Sequence, residues 1–360
     1  MHKYRNQILA GLLFLSAVLI AVIAITGANE LVAKLQDFPV WLFVPILLLK
    51  CVNWTLRYNE WRYFLGVIGV RTVRRVEDRP APSTEQPTIR ERDSVVLWLS
   101  GLTMAISPGK LAEVLKALVL KNLTGVEFSR SVPIVFMERV VDGLAVIFLS
   151  TVALIFVAGT LAGDVSVSYV RAVLIGTAGV LLIGMAVIQY RPLALWLLDR
   201  SAKPPLLRRI EHALRNLYQS SYDLLKIRNL AVPLLLGVGA HFSDCVGFYL
   251  LLRGLGVPGS WTLFGQAVFI DGFSVIVASL SAMPGGAGGR ELTVGAILTG
   301  MVGLSKTDAG TAAFLFSIFQ SWAGVTLGLV MIGLFRHVLF PPSLEAEIQA
   351  YEAARHSEVA

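Results

Sequence analysis

The sequence predicts an all-α polytopic membrane protein with about six full transmembrane helices and two inverted re-entrant helical hairpins. Three observations lead to this fold class. The 360 residues are 55% hydrophobic and only 15% charged, whereas a soluble chain carries about 25% charge. Apolar runs of about 20 residues, long enough to cross a hydrocarbon core, recur along the chain. Two glycine-rich stretches interrupt the apolar sequence, one in each half of the chain.

The apolar runs give the expected transmembrane helices. Lys3 and Arg5 precede the first run. Because that run is longer than the apolar region of a signal peptide, we expect an uncleaved helix. The six expected helices cover approximately residues 8–26, 39–57, 132–158, 168–190, 230–252 and 310–335.

Two basic segments predict the orientation. Residues 57–93 contain eight arginines, and residues 191–229 contain eight arginines and lysines. The basic residues behind the net charge of +7 therefore lie in loops. There they indicate the cytoplasmic side of the membrane and contact with lipid headgroups, not binding of nucleic acid. Prolines within 77–92 predict an exposed linker. Apolar residues at helical spacing over 206–224 predict an amphipathic helix on the cytoplasmic surface, with a small soluble helical hairpin as the alternative.

The two glycine-rich stretches lie within residues 94–122 and 261–302, and each places Pro and Gly where a helix would otherwise continue. If both stretches crossed the membrane completely, the second basic segment would lie outside. If both stretches are re-entrant hairpins, both basic segments and both termini lie on the cytoplasmic side of the cell (inner) membrane. The first hairpin then opens to the cytoplasm and the second to the exterior, an inverted arrangement typical of transport sites between repeats.

Ionisable residues inside apolar segments are costly and therefore mark candidate functional positions. In the hypothesis, Lys110, Arg290 and the N–H groups of both hairpin loops bind an anion such as phosphate. Carboxylates nearby would balance these charges or relay protons. The alternative is that the charged residues only pair with one another and fix the hairpins to the bundle.

The predicted substrate-binding set consists of Pro108, Gly109, Lys110, Glu113, Glu138, Arg139, Asp142, Pro284, Gly285, Gly286, Gly288, Arg290 and Glu291. Four further polar residues stand singly in apolar surroundings, namely His241, Asp244, Asp271 and Gln320. No metal-binding spacing, nucleotide loop or nucleophile–base pair is evident, so no cofactor, metal or catalytic residue is predicted.

Three motifs resemble the lysylphosphatidylglycerol synthetase transmembrane-region family of flippase-like membrane proteins. Residues 107–113, Ser-Pro-Gly-Lys-Leu-Ala-Glu, resemble its SPGK-x-GE motif, with Ala112 where the family usually has Gly. Residues 138–142 resemble its ER-x-x-D motif, and residues 284–291 resemble its PGG-x-G-x-RE motif. The motifs occur in the family order, so the resemblance covers nearly the whole chain.

The resemblance implies a lipid translocase fold over residues 1–340, followed by a short cytoplasmic tail at 341–360. Bifunctional members continue into an aminoacyltransferase domain, for which the residues after the last helix are too few, so we expect no enzyme activity. The expected function is a flippase for lipids with an anionic or sugar-phosphate headgroup, including polyprenyl-phosphate lipids, working with envelope-lipid enzymes. The alternatives are a scaffold for a lipid-modifying glycosyltransferase and an integral-membrane enzyme acting on a lipid headgroup.

Overall fold

The structure is a computed structural model of the chain. It describes residues 36–74, 87–104, 115–157, 211–281, 286 and 288–339, together with short pieces between 170 and 192. The predicted first helix at 8–26 and the predicted tail at 341–360 lie outside the described residues, and the predicted helix at 168–190 lies largely outside them.

The described part of the chain is built from helices. A short 3₁₀ turn, Val40–Leu42, precedes the first long helix. The helices are α1 (Phe43–Val67), α2 (Glu91–Met104), α3 (Leu115–Thr124), α4 (Phe128–Val157), α5 (Glu211–Leu224), α6 (Ile227–Gly254), α7 (Trp261–Leu280), α8 (Gly289–Ile297), α9 (Lys306–Ser317), α10 (Ala323–Leu334) and α11 (Arg336–Leu339). Single π-helical turns, Leu298–Val302 and Ile318–Trp322, extend α8 and join α9 to α10.

Five segments of the described chain are long and apolar enough to cross a membrane. Four of them, Val40–Val67, Phe128–Val157, Ile227–Gly254 and Lys306–Leu334, correspond to predicted transmembrane helices. The fifth is Trp261–Leu280, the first arm of the second predicted hairpin. The chain is therefore a multi-pass membrane protein, while the total of six full spans and the re-entrant path of each hairpin remain predictions.

The prediction for residues 57–93 is wrong at both ends of that segment. Helix α1 continues to Val67, so Arg57 and Arg62 lie in the helix and not in a loop. The end of the expected linker is also structured, because strand β2 (Thr88–Arg90) pairs in parallel with strand β1 (Arg71–Val73). Apolar side chains fix this small sheet, since Val73 and Ile89 are both buried.

The first glycine-rich stretch is flanked by α2 and α3, which contact one another. The break between them falls at 105–114, outside the described residues. Helix α2 packs along α10, and α3 packs against α4. Gly328 of α10 makes this packing close, because an added Cβ would lie 2.2 Å from Thr103 Oγ1. Gly324 and Gly328 form a small-x-x-x-small pair, a spacing that predicts close helix packing, and the contacts of Gly328 confirm this prediction.

The second glycine-rich stretch separates α7 from α8, and these two helices pack against each other. Gly286 and Gly288 have φ angles of +70° and +82°, in the left-handed region that favours glycine. A Cβ at Gly286 would also lie 2.7 Å from the Cβ of Ala278 in α7. Glycine is therefore required for the chain to turn this closely against its own preceding helix.

The predicted amphipathic helix is present as α5, which packs against α4 near the start of α6. Leu224 is buried, whereas Leu217 is exposed. At the end of α5, Lys226 Nζ donates to Asp223 Oδ1 at 2.7 Å and Gln219 Nε2 donates to Asp223 Oδ2 at 3.0 Å. Burial acts to raise the pKa of Asp223, but these hydrogen bonds outweigh it and hold the pKa below its ordinary value.

Helices α1, α4, α6 and α7 form the centre of the bundle. Helix α6 packs against both α1 and α4, and α7 packs against α4. Two apolar clusters fill the bundle, one around Phe248 and Phe269 and the other around Trp61 and Phe64. Charged side chains from the same central helices also lie buried in the bundle, and they make up the candidate site.

Candidate functional site

The candidate site begins with four polar residues on α1. Lys50, Asn53, Arg57 and Glu60 follow one another at intervals of 3, 4 and 3 residues. That spacing places them on one face of a helix, because residues three and four apart lie above one another. Lys50, Asn53 and Glu60 are buried, although they belong to a segment that is otherwise apolar enough to span the membrane. The face is therefore turned into the bundle and away from lipid.

Lys50 forms the first ion pair, and its partner is on α6. Its Nζ lies 3.1 Å from Asp244 Oδ1 and donates a second hydrogen bond of 2.5 Å to Gln320 Oε1. Asn53 Nδ2 donates to the other carboxylate oxygen of Asp244 at 2.9 Å. Gln320 belongs to the π-helical turn after α9, so this group of side chains joins α1, α6 and the last membrane segment.

About two turns beyond Lys50 along α1, Arg57 forms an ion pair with Asp142 of α4. Arg139 approaches the same carboxylate at 2.9 Å, and Arg57 Nη2 lies 3.0 Å from His241 Nε2. His241 Nε2 also lies 3.4 Å from Asp142 Oδ1, so it faces both members of this ion pair. The other ring nitrogen, His241 Nδ1, is buried and has no hydrogen-bond partner among the described residues.

A third pair joins α3 to α4. Lys116 Nζ donates to Glu138 Oε2 at 2.6 Å, and both side chains are buried. The same ammonium lies 5.1 Å from the ring centroid of Trp61, close enough for a cation–π contact. Gly101 of α2 leaves room for the lysine, because a Cβ there would lie 2.5 Å from Lys116 Cδ.

Arg290 and Glu291 open α8 and have different surroundings. Glu291 Oε2 accepts from the Gly288 N–H at 2.6 Å, and Glu291 Oε1 accepts from the Ser317 hydroxyl. Arg290 Nη1 makes one long hydrogen bond, 3.4 Å, to Ser321 Oγ, while its Nε is buried and unpartnered. Among the described residues, Arg290 therefore has no carboxylate to neutralise it, since the oxygens of Glu291 face other donors.

The family comparison now identifies the type of protein. The family model for the lysylphosphatidylglycerol synthase TM region matches residues 8–328. The chain belongs to this family. Comparisons with curated proteins and with solved structures found no match. Membership confirms the resemblance carried by the three motifs, and with the membrane helices it makes the chain an integral membrane protein of lipid metabolism.

The structure describes and brings together only part of the predicted site of this family member. Glu138 pairs with Lys116 of α3 and Asp142 pairs with Arg57 of α1, whereas Arg139 pairs with Asp142 inside α4. Gly286 and Gly288 shape the turn before Arg290 and Glu291. The remaining predicted residues, Pro108, Gly109, Lys110, Glu113, Pro284 and Gly285, lie outside the described residues.

Sequence reasoning missed the polar face of α1, which supplies three of the charged residues. The sequence analysis above predicts a loop at Arg57 and gives no role to Lys50. The signal was nevertheless present, because polar residues at positions 50, 53, 57 and 60 recur at helical spacing within an apolar run. His241, Asp244 and Gln320 were noted as single polar residues, and the structure shows that the α1 residues contact them.

Proposed function

We propose that this synthase TM-region protein moves a lipid with an anionic or sugar-phosphate headgroup from one leaflet of the cell membrane to the other. The observation that carries the proposal is that no carboxylate among the described residues neutralises the guanidinium of Arg290 at the start of α8. A charged side chain among membrane-spanning helices is costly, and such residues are therefore functional-site candidates. An anionic headgroup would supply the missing counter-charge.

The backbone around Arg290 also suits an anion. The first N–H groups of α8 have no acceptor within the helix, and they lie at the positive end of the helix dipole. A guanidinium can hold a phosphate through two parallel hydrogen bonds. Lys110, which the inverted-hairpin hypothesis places near the same cavity, would add a second cation. The acyl or polyprenyl tails would stay in the bilayer while the headgroup passes between the helices.

The buried ion pairs would serve this movement as connections between moving parts. Lys50–Asp244 and Arg57–Asp142 join α1 to α6 and α4. Such pairs have a small number of defined arrangements, because separating them inside the membrane leaves charges uncompensated. We place both termini in the cytoplasm and expect anionic or polyprenyl-phosphate lipids, together with envelope-lipid enzymes, as partners. The proposed activity is transport without chemical conversion of the lipid.

The test is lipid movement in proteoliposomes. The protein is reconstituted with phosphatidylglycerol labelled on one acyl chain, and a membrane-impermeant quencher is added from outside. We expect wild-type protein to make more lipid accessible than the outer leaflet holds. Arg290→Gln should slow this movement about 10-fold or more, because a hydrogen bond to a charged group is worth about 1.5–3 kcal/mol.

Arg253→Gln is the matched control. Arg253 lies in the last turn of α6, and its Nη1 donates to the carbonyl of Val257 at 2.8 Å. This variant removes an equivalent charge from another helix end and should move lipid at the wild-type rate. Equal rates for Arg290→Gln and wild type would remove Arg290 from the site. A wild-type protein that moves neither phosphatidylglycerol nor a polyprenyl phosphate would overturn the flippase proposal.

A further inference from the structure

The outward face of α1 changes from apolar to polar along its length. Leu48 and Val52 are exposed on this face, as expected for side chains in contact with lipid tails. Steps of three and four residues continue the same face through Thr55 to Asn59 and Arg62. The polar part of this face is distinct from the buried polar face described above, and it points out of the bundle.

The length of α1 gives the depth of this change. Trp41 is exposed at the start of the membrane segment Val40–Val67, and tryptophan is enriched at membrane–water interfaces. At 1.5 Å per residue, Asn59 lies about 27 Å further along the axis. The hydrocarbon core is about 30 Å thick. The last two turns of α1, from Asn59 to Val67, therefore lie at the level of the lipid headgroups on the opposite surface.

At this level α1 forms an open groove of about 460 Å³, which we call the α1 groove. It is lined by Asn59, Arg62, Tyr63, Gly66 and Val67. Its volume falls within the range of about 300–1,000 Å³ that is usual for sites of small ligands. Gly66 keeps the groove open, because an added Cβ there would meet nothing within 4 Å. The groove can thus admit a group the size of a lipid headgroup.

Arg62 supplies a fixed positive charge at the groove. Its Nε donates to Thr72 Oγ1 at 3.2 Å, and its Nη1 lies 3.3 Å from Glu91 Oε1. Arg74 Nε approaches the other oxygen of Glu91 at 3.4 Å. Two guanidinium groups therefore share one carboxylate, which leaves a net positive charge beside the groove. The Arg62 side chain is still 44% exposed, so an anion can reach it.

Two uncharged side chains of the groove offer hydrogen-bond acceptors. Asn59 Nδ2 donates to the carbonyl of Thr55 at 2.8 Å, which leaves Asn59 Oδ1 as an acceptor. The Tyr63 hydroxyl donates to the carbonyl of Arg228, in the first turn of α6, at 3.4 Å, and its oxygen can still accept. A cation beside two acceptors suits a phosphate that carries a hydroxylated substituent.

We propose that the α1 groove binds the headgroup of an anionic phospholipid from the surrounding leaflet, with phosphatidylglycerol as the fitting type. Arg62 contacts the phosphate, and the glycerol hydroxyls donate to Asn59 and Tyr63. The acyl chains lie along the apolar part of the same face, over Leu48 and Val52. The basic segment that follows α1 predicts that this leaflet is the cytoplasmic one. The bound lipid fixes the depth of α1 in the membrane.

The α1 groove is separate from the headgroup site of the proposed function. Arg290 contacts Ser321, and the neighbouring residue Gln320 contacts Lys50. Lys50 and Arg62 are about 18 Å apart along the axis of α1. Binding in the groove therefore requires neither Arg290 nor movement of lipid across the membrane.

Native mass spectrometry of the purified full chain tests the proposal. Arg290→Gln serves as the parent protein, so that the headgroup site contributes little. Phosphatidylglycerol and phosphatidylcholine with identical acyl chains are titrated in parallel. We expect the parent to bind phosphatidylglycerol about 10-fold more tightly, and Arg62→Gln to abolish this preference, because a hydrogen bond to a charged group is lost.

Gly66→Leu distinguishes loss of the groove from loss of structure. Leucine fills the open space and favours the helix, while the contacts of Arg62 with Thr72 and Glu91 are kept. This variant in the same parent should bind phosphatidylglycerol no better than phosphatidylcholine. Gly333→Leu is the matched control, because a Cβ at Gly333 also meets nothing within 4 Å. It should keep the preference of the parent.

Photo-crosslinking in nanodiscs locates the lipid. Phosphatidylglycerol with a diazirine in its headgroup should label the peptide that contains residues 59–67 in wild type and not in Gly66→Leu. Excess glycerol phosphate in the water should not reduce the labelling. Competition by this soluble ester would show that the groove takes a free phosphate ester and would overturn the lipid assignment.

The outcomes separate this proposal from the flippase proposal. If the parent shows no preference for phosphatidylglycerol, or if Gly66→Leu keeps it, the groove proposal is wrong and the flippase proposal is unaffected. If wild type moves no lipid but Gly66→Leu abolishes both the preference and the labelling, the flippase proposal falls and the groove proposal stands.

Discussion

Substitution of Gly328 by alanine tests the close packing of α10 against α2. The new Cβ would lie 2.2 Å from Thr103 Oγ1, 2.9 Å from Thr103 N and 3.0 Å from Leu99 O. The Thr103 side chain can rotate, but the two backbone atoms cannot move unless the helices separate. Such overpacking costs about 1–3 kcal/mol.

The same substitution also has a favourable effect, which a control variant measures. Alanine is a better helix former than glycine by about 1 kcal/mol. Gly333 lies in the same helix, and a Cβ there would meet nothing within 4 Å. Gly333→Ala therefore reports helix propensity alone and should leave stability unchanged or increase it. The difference between the two variants isolates the steric cost.

The assay is reversible unfolding in mixed micelles with increasing sodium dodecyl sulfate, followed by tryptophan fluorescence. We expect the free energy of unfolding of Gly328→Ala to be lower than that of Gly333→Ala by about 1–3 kcal/mol. Equal values, or a more stable Gly328→Ala, would refute the described contact between α2 and α10.

Two further substitutions address the polar contacts. Lys50→Met should lower the free energy of unfolding by about 3–5 kcal/mol because Asp244 is left buried without its cation. The double variant Lys50→Met/Asp244→Leu should recover much of this loss in the same unfolding assay. A double variant that is no more stable than Lys50→Met would contradict the pairing. Glu291→Ala removes the acceptor of the Gly288 N–H at the start of α8 and should cost about 0.5–2 kcal/mol, whereas Glu291→Gln keeps an acceptor. Hydrogen exchange of the Gly288 amide should therefore be faster in the alanine variant, and equal exchange in both variants would rule out the cap.

The sequence was sufficient for features that depend on local composition. Apolar runs located the described spans, although α1 and α4 extend beyond their predicted ends. Proline and glycine correctly marked the break between α7 and α8, because few other residues accept the φ angles of Gly286 and Gly288. The Gly324/Gly328 spacing likewise predicted close packing.

Features that depend on distant partners could not be read in this way. The sequence around Arg57 does not show that Asp142 faces it, and the sequence around Lys50 does not show that it pairs with Asp244. The sheet formed by residues 71–73 and 88–90 was missed because each strand has only three residues, too few for a periodic pattern. Four of the thirteen predicted site residues lie at 105–114, outside the described residues, so the contribution of Lys110 remains a prediction.

The position of Lys50 in the chain has a consequence for synthesis. Its partner Asp244 is 194 residues further along the chain. At typical translation rates, Asp244 is made about 10–40 s after Lys50. A lysine at the centre of a membrane helix costs about 2.5–3.5 kcal/mol to insert. Helix α1 therefore enters the bilayer before the carboxylate that pairs with Lys50 has been made, and a chain interrupted before α6 would leave this lysine without Asp244.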